Sequence, residues 1–249
     1  MRDSDLDEIR DLALFRDMDS EHFQNLMRGA YHQTFPPQVT LIEEGQQADF
    51  LHVITEGAVE MFARWNDRET TMAIVRPVST FILAACINDA PYLMSARTLM
   101  PSRIVMIPGA DLRKVFASDP IFAQAIVREL ATCYRSVVRH AKGLKLRASK
   151  ERLAAYLIRH AGPTTGVARF QLPIEKRLLA SYLGMTPENL SRALRLLRDE
   201  GVAVDGLRVE VRDLAKLAAI ARPNPLMDGA ESCGEPDSNS HIRARIGSR

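Results

Sequence analysis

Glu188, Ser191 and Arg192 carry side chains suited to the edges of base pairs, and offsets of three, four and seven residues put them and Arg195 on one side of a helix. Arg192 offers a guanidinium that can make paired hydrogen bonds to guanine, Glu188 an acceptor for the cytosine amino group, and Ser191 a hydroxyl that serves either way. Leu190, Ala193, Leu194 and Leu197 fill the opposite side, so one face packs while the other reads. The bland alternative is a helical hairpin with a solvated polar face. The residues just upstream argue against it.

Within Ile174–Arg198 a first helix with Leu178, Leu179, Tyr182 and Leu183 stops at Gly184, which tolerates a left-handed helix end. Thr186 is an N-cap, and Pro187 at the first helical position gives up an N–H that has no intrahelical partner. A second helix therefore starts sharply at Thr186-Pro187-Glu188. After Asp199-Glu200-Gly201, the stretch Val202–Val209 reads as two short strands around Asp205-Gly206, a hairpin signal. Lys176, Arg177, Thr186, Arg195 and Arg208 are the expected contacts to a phosphate backbone.

Charge supports a polyanion partner. The net charge of +2 conceals a gradient along the chain: residues 1–60 hold four Arg against thirteen Asp and Glu, while residues 135–195 hold thirteen Lys and Arg against three Glu. Such a basic region releases condensed counterions when it meets phosphates. With 46% hydrophobic and 26% charged residues the chain has the composition of a folded globular protein. No apolar run reaches membrane-spanning length, and the acidic N-terminus does not resemble a signal peptide, so a cytoplasmic address is expected. Cys86, Cys133 and Cys233 are odd in number and far apart, which suits neither a disulfide framework nor a paired-cysteine metal site; reduced thiols are expected.

Upstream, residues 3–30 predict two short helices broken near Asp17-Met18-Asp19-Ser20, with Ser20 capping the second. The period then changes to two in Val39–Ile42, Phe50–Ile54, Val59–Phe62, Thr71–Val75 and Arg103–Ile107, separated by turns that include Gly45 and Gly57. From Ala123 the residues Ile126, Leu130, Cys133, Val137, His140 and Leu144 follow at alternating steps of three and four, the heptad spacing of a helix paired with a second copy, the bland alternative being a single helix lying on its own barrel. The reading is an α+β chain: an antiparallel barrel or sandwich over 1–118, a dimerisation helix over 119–148, a winged helix-turn-helix over 149–222 and a disordered tail over 223–249.

This order of elements resembles the CRP/FNR family of bacterial regulators over residues 10–215. Thr40-Leu-Ile-Glu-Glu-Gly45, Leu51-His-Val-Ile-Thr-Glu-Gly57 and Leu183-Gly-Met-Thr-Pro-Glu-Asn-Leu-Ser-Arg192 carry the likeness. The Glu-x-x-Ser-Arg arrangement is similar to the FNR branch, and some details resemble FtrB-like regulators. The resemblance implies a cyclic-nucleotide-binding-like roll, base reading by Glu188, Ser191 and Arg192, a palindromic, TTGAT-like site in double-stranded DNA, a homodimer, and RNA polymerase as a partner if the protein activates.

The effector departs from the pattern. A cyclic-nucleotide pocket of this family has a Gly-Glu element and an Arg-Ser or Arg-Thr pair, whereas this chain has Phe81-Ile-Leu-Ala-Ala-Cys86 and Met94-Ser-Ala-Arg97, with Arg97 expected on the other strand face. An iron–sulfur cluster needs about four cysteine thiolates, and the first 85 residues contain none. Neither effector is expected. Haem or nitric oxide sensing stays open, since His22, His32 and His52 lie in the sensor half and Phe81, Ile82, Leu83 and Met94 supply an apolar pocket. The absence of a cupin histidine cluster, a Walker loop or a nucleophile elbow argues against an enzyme. The rival from another class is a dimeric protein-interaction module without DNA readout.

Overall fold

The computed structural model describes residues 3–162 and 166–229, and the chain divides into two compact units between Tyr134 and Arg135. In the first, α1 (Asp3–Arg10) and α2 (Ser20–Gly29) precede β1 (Tyr31–Phe35), β2 (Thr40–Ile42), β3 (Phe50–Glu56), β4 (Val59–Trp65), β5 (Arg68–Val75) and β6 (Ser79–Phe81). A short α3 (Leu83–Asn88), β7 (Ser95–Thr98), β8 (Ser102–Pro108) and α4 (Gly109–Ser118) follow, and α5 (Pro120–Leu146) runs on for 27 residues.

The strands form two antiparallel sheets, β1-β8-β3-β6 and β2-β7-β4-β5. Val59, Met61 and Ala96 from the second sheet join Ile54, Ile104 and Phe81 from the first in one apolar core. Alternation along each strand creates that segregation of faces. Gly57 turns the chain between β3 and β4 at φ +98, where an added Cβ would stand 2.6 Å from the Pro101 carbonyl oxygen. Asp19 caps α2, accepting from the backbone of Glu21 at 2.8 Å and His22 at 3.1 Å; Ser20 is already helical, which corrects the expected cap by one residue.

Cys86 is a buried free thiol that donates to the Phe50 carbonyl at 2.9 Å, and burial pushes its pKa up to about 12. Cys133 is disulfide-bonded, which corrects the expectation of reduced thiols for that residue. Disulfide formation requires proximity in space, not in sequence. Cys233 lies outside the described residues.

In the second unit α6 (Ser149–Ala161) packs against α8 (Pro187–Arg198) and α9 (Leu214–Ala221), and α7 (Lys176–Tyr182) against α8. A three-stranded wing, ordered β10-β11-β9, joins β9 (Ala168–Gln171), β10 (Val202–Asp205) and β11 (Arg208–Val211). The expected hairpin turns at Gly206, φ +57, while β9 is a third strand that the sequence reading lacked. Leu153, Leu157, Leu179, Leu190, Leu197 and Leu217 are buried together with Val209 and Val211.

The expected disordered tail is corrected over its first residues. Asn224 caps α10 (Pro225–Asp228), and Asp228 accepts two hydrogen bonds of 2.6 Å from Arg147, whose second nitrogen also reaches the Arg222 carbonyl at 3.3 Å. A fork-to-carboxylate pair of this kind orders a segment whose composition alone predicts disorder. Residues 230–249 lie outside the described residues.

Burial alone would raise the Asp228 pKa, but the Arg147 guanidinium and the Asn224 backbone N–H together hold it below the ordinary aspartate value. A depressed folded value means that the pair stabilises fully above the unfolded pKa and is lost as pH falls through the folded one. Asp228→Ala is expected to lower unfolding free energy by about 1–3 kcal/mol at neutral pH. The gap to wild type should close in acid, and urea titrations at several pH values check both.

Candidate nucleic-acid interface and sensor site

The turn between α7 and α8 is built from backbone bonds. Gly184 adopts φ +61, its N–H donates to the Ser181 carbonyl at 2.9 Å, and the Met185 N–H donates to the Ala180 carbonyl at 3.0 Å. This paired closure satisfies carbonyls that a helix end leaves open, and it needs a left-handed residue at Gly184. Thr186 then caps α8, its hydroxyl oxygen accepting from the Asn189 N–H at 3.2 Å with Pro187 next in the chain.

Leu190, Ala193 and Leu197 bury one face of α8, whereas Glu188, Ser191, Arg192 and Arg195 are all exposed on the other. The Thr186 hydroxyl, followed by the backbone N–H of Glu188 itself and the Arg192 charge, holds the Glu188 carboxyl below its ordinary pKa. The acceptor is therefore ionised and oriented at neutral pH. Arg177 and Arg208 are exposed and Lys176 half-buried at the start of α7. Asn189 and Leu196 widen the exposed face; Leu196 is 53% exposed. Sequence reasoning passed over both, although 100° per residue places them beside Arg192.

Along α5 the heptad residues do not share one surface. Ile126 is fully buried in the core of the first unit and Leu130 is half-buried against it, while Val137 is 66% exposed. The His140 ring lies 5.2 Å from the Tyr182 ring at a 42° tilt, and Leu144 lies against Gly184. Ile126 is thus corrected from a partner-facing to an intrachain position, because its unit's own core fills the first part of the repeat. The exposed apolar positions of α5 missed by the heptad are Val127, Tyr134 and Val138 in its middle, with Ile121 and Leu146 at its two ends, and Tyr134 is 70% exposed.

In the roll, Phe81 and Leu83 are buried, and Ile82 and Met94 pack against the same core. His22 pairs with Asp119 at 3.2 Å and His32 with Asp5 at 3.6 Å. His52 is 3% exposed, stacks on Phe81 at 5.1 Å between ring centroids, and leaves Nδ1 without a hydrogen-bond partner.

Comparison with known proteins matches each half. Residues 151–220 match the Crp-like helix-turn-helix domain, and residues 32–119 match the cyclic nucleotide-binding domain. A CRP-like cAMP-activated global transcriptional regulator of Mycobacterium tuberculosis is 25% identical over 224 residues, covering 87% of this chain and all of that protein. The transcriptional activator protein FnrL of Cereibacter sphaeroides is 25% identical over 232 residues, covering 84% of this chain and 88% of that protein. FixK2 from Bradyrhizobium japonicum shares the fold, with a TM-score of 0.66 at 21% identity, over 78% of this chain and 98% of that one. The chain belongs to the CRP/FNR family of transcriptional regulators.

As a CRP/FNR regulator it is a DNA-binding protein, and among its described residues no helix is long and apolar enough to cross a membrane. Its roll departs from the cyclic-nucleotide chemistry that the domain family implies. Buried phosphate requires a cationic partner, yet Arg97 lies on the sheet face opposite Met61 and Ala96. There it donates to Glu60 at 2.8 Å and Glu69 at 2.6 Å, and its guanidinium sits 4.3 Å over the Phe62 ring. Thr71 donates to the other Glu60 oxygen at 2.7 Å, so this charge is already compensated. Met94 and Arg97 do not fit a nucleotide phosphate in the roll.

Thr186→Val removes both hydroxyl interactions at similar volume. We expect a loss of about 1 kcal/mol of stability and a rise of the Glu188 pKa toward the ordinary glutamate value, read by chemical denaturation and by carboxyl NMR titration. In the roll, burial lowers the His52 pKa from 6.5 to about 4, against a smaller opposing effect of the Phe50 backbone. Stability from neutral His52 is complete above its unfolded pKa and lost as pH falls through the folded value. His52→Leu should therefore remove roughly 3 kcal/mol of the acid dependence of unfolding between pH 7 and 4.

Proposed function

We propose that this regulator acts as a dimer on a palindromic DNA site, each α8 entering one major groove with half-sites about one helical turn apart. Glu188, Ser191 and Arg192 read base edges, and Lys176, Arg177, Thr186, Arg195 and Arg208 contact phosphates. The observation that carries this reading is the two-faced α8, with Leu190, Ala193 and Leu197 buried and Leu194 half-buried on the apolar side, and an ionised acceptor beside a bidentate donor on the exposed side. A protein-interaction module would leave that pairing without a task. The dimer is supported by the exposed face of Val127, Tyr134, Val137 and Val138, which costs solvation unless a second copy covers it. RNA polymerase is the further partner if the protein activates.

The effector is a molecule other than cAMP or an iron–sulfur cluster. The Arg97–Glu60–Glu69 arrangement supports the first exclusion. The sequence supports the second, since the first 85 residues have no cysteine. Haem has less support than an apolar metabolite, because His22 and His32 are held by carboxylates and His52 is packed against Phe81.

Selection from a random DNA pool with anaerobically purified protein, after recording its absorption spectrum, should enrich a two-fold palindrome without a Soret band. Arg192→Ala is expected to cost roughly 1–3 kcal/mol and to relax preference at one base pair. Lys176→Ala should weaken all sequences alike and lower the salt dependence. Equal loss on every sequence for Arg192→Ala would remove it from base reading.

A further inference from the structure

We infer that Arg152 is a positioning residue that fastens the reader to the end of the long helix and thereby sets which half-site spacing the protein accepts; this rests on the dimeric reading above. Arg152 closes the first turn of α6. One terminal nitrogen donates to the Arg147 carbonyl at 2.7 Å and the Leu144 carbonyl at 3.3 Å, at the end of α5. The other donates to the Gly184 carbonyl at 3.3 Å, two residues before the Thr186 cap, and to the Ser149 hydroxyl at 3.4 Å. A single planar fork thus joins two elements far apart in sequence.

No carboxylate pairs with Arg152 among the described residues, its Nε is buried without a partner, and burial lowers its pKa. A half-buried guanidinium with one N–H left unpaired is costly as mere filling. Its compensation comes from open carbonyls at helix ends, where the backbone carries partial negative charge. Lysine, with a point charge on a flexible stem, does not reproduce the fork.

The same joint has an apolar side. A Cβ on Gly184 would stand 2.6 Å from Leu144 Cδ2, so the turn is seated against the long helix. The His140 and Tyr182 rings meet one turn earlier on α5. These contacts give a rotation of the last α5 turns a direct path to the start of α8. In a dimer joined through α5, the separation and facing of the two reading helices then depend on that mount, and spacing is the quantity that reports it.

The test uses full-length protein and DNA probes with two identical half-sites whose spacer is changed by one or two base pairs. One base pair moves a half-site by about 3.4 Å and turns it by about 35°, so wild type should lose about tenfold or more in affinity off its optimum. Arg152→Met, shown folded by its thermal melt, should keep the base preferences within each half-site and flatten the spacer profile to within about threefold. A wild-type-like optimum in Arg152→Met, even at uniformly lower affinity, overturns the inference and leaves a structural role only. If Arg152→Met does not fold, Arg152→Lys is read in the same assay: a flattened profile supports the role and an unchanged one overturns it. No spacer optimum in wild type overturns the dimeric reading and this inference with it.

Discussion

Between Tyr182 and Pro187 the backbone must end one helix and begin another while its polar groups stay hydrogen-bonded. Gly184 makes this possible by taking φ +61, which lets the Gly184 and Met185 N–H groups return to Ser181 and Ala180. Any side chain at this position would meet both the left-handed backbone and Leu144. Thr186 then supplies the first acceptor of α8. The direction of α8 follows from this reversal, and so does the outward placement of Glu188 and Arg192.

The long helix answers two demands at once. Its first turns carry Phe122 and Ile126 into the core of the first unit, and its last turns carry Leu144 and the carbonyls that receive Arg152. Between them Tyr134, Val137 and Val138 are left exposed. A regular heptad expresses only the average of these demands, which explains why Ile126 obeys the spacing yet faces its own unit. Arg147 adds a third demand where α5 ends, because its guanidinium is committed to Asp228 from the far end of the described chain.

In the roll, strand alternation separates apolar from charged chemistry. Met61 and Ala96 face the core, while Glu60 and Arg97 occupy the other side of the same strands and neutralise one another. The apolar side of these strands forms the interior of the roll. His52 is a polar exception within it, kept neutral by burial at the cost of acid stability.

Much of the reader was legible without coordinates, because its signals are local: Gly184, Thr186 and Pro187 mark a turn and cap, and the spacing of Leu190, Ala193 and Leu197 fixes a helix face. The five strands with apolar alternation were legible for the same reason. The short strands β1, β6, β7 and β9 were not, since three to five residues with mixed burial carry no clear period of their own and gain order by pairing with strands distant in sequence. The order of α10, the intrachain fate of Ile126, the disulfide state of Cys133 and the carbonyl partners of Arg152 depend on residues distant in sequence. The amino-acid order by itself determined which faces are apolar, where helices start and stop, and which side chains can read DNA, because those properties arise within a few residues. Only the tertiary structure decided which apolar positions are consumed inside each unit and which cations are already engaged, because burial and hydrogen bonding are settled by what else arrives at the same place.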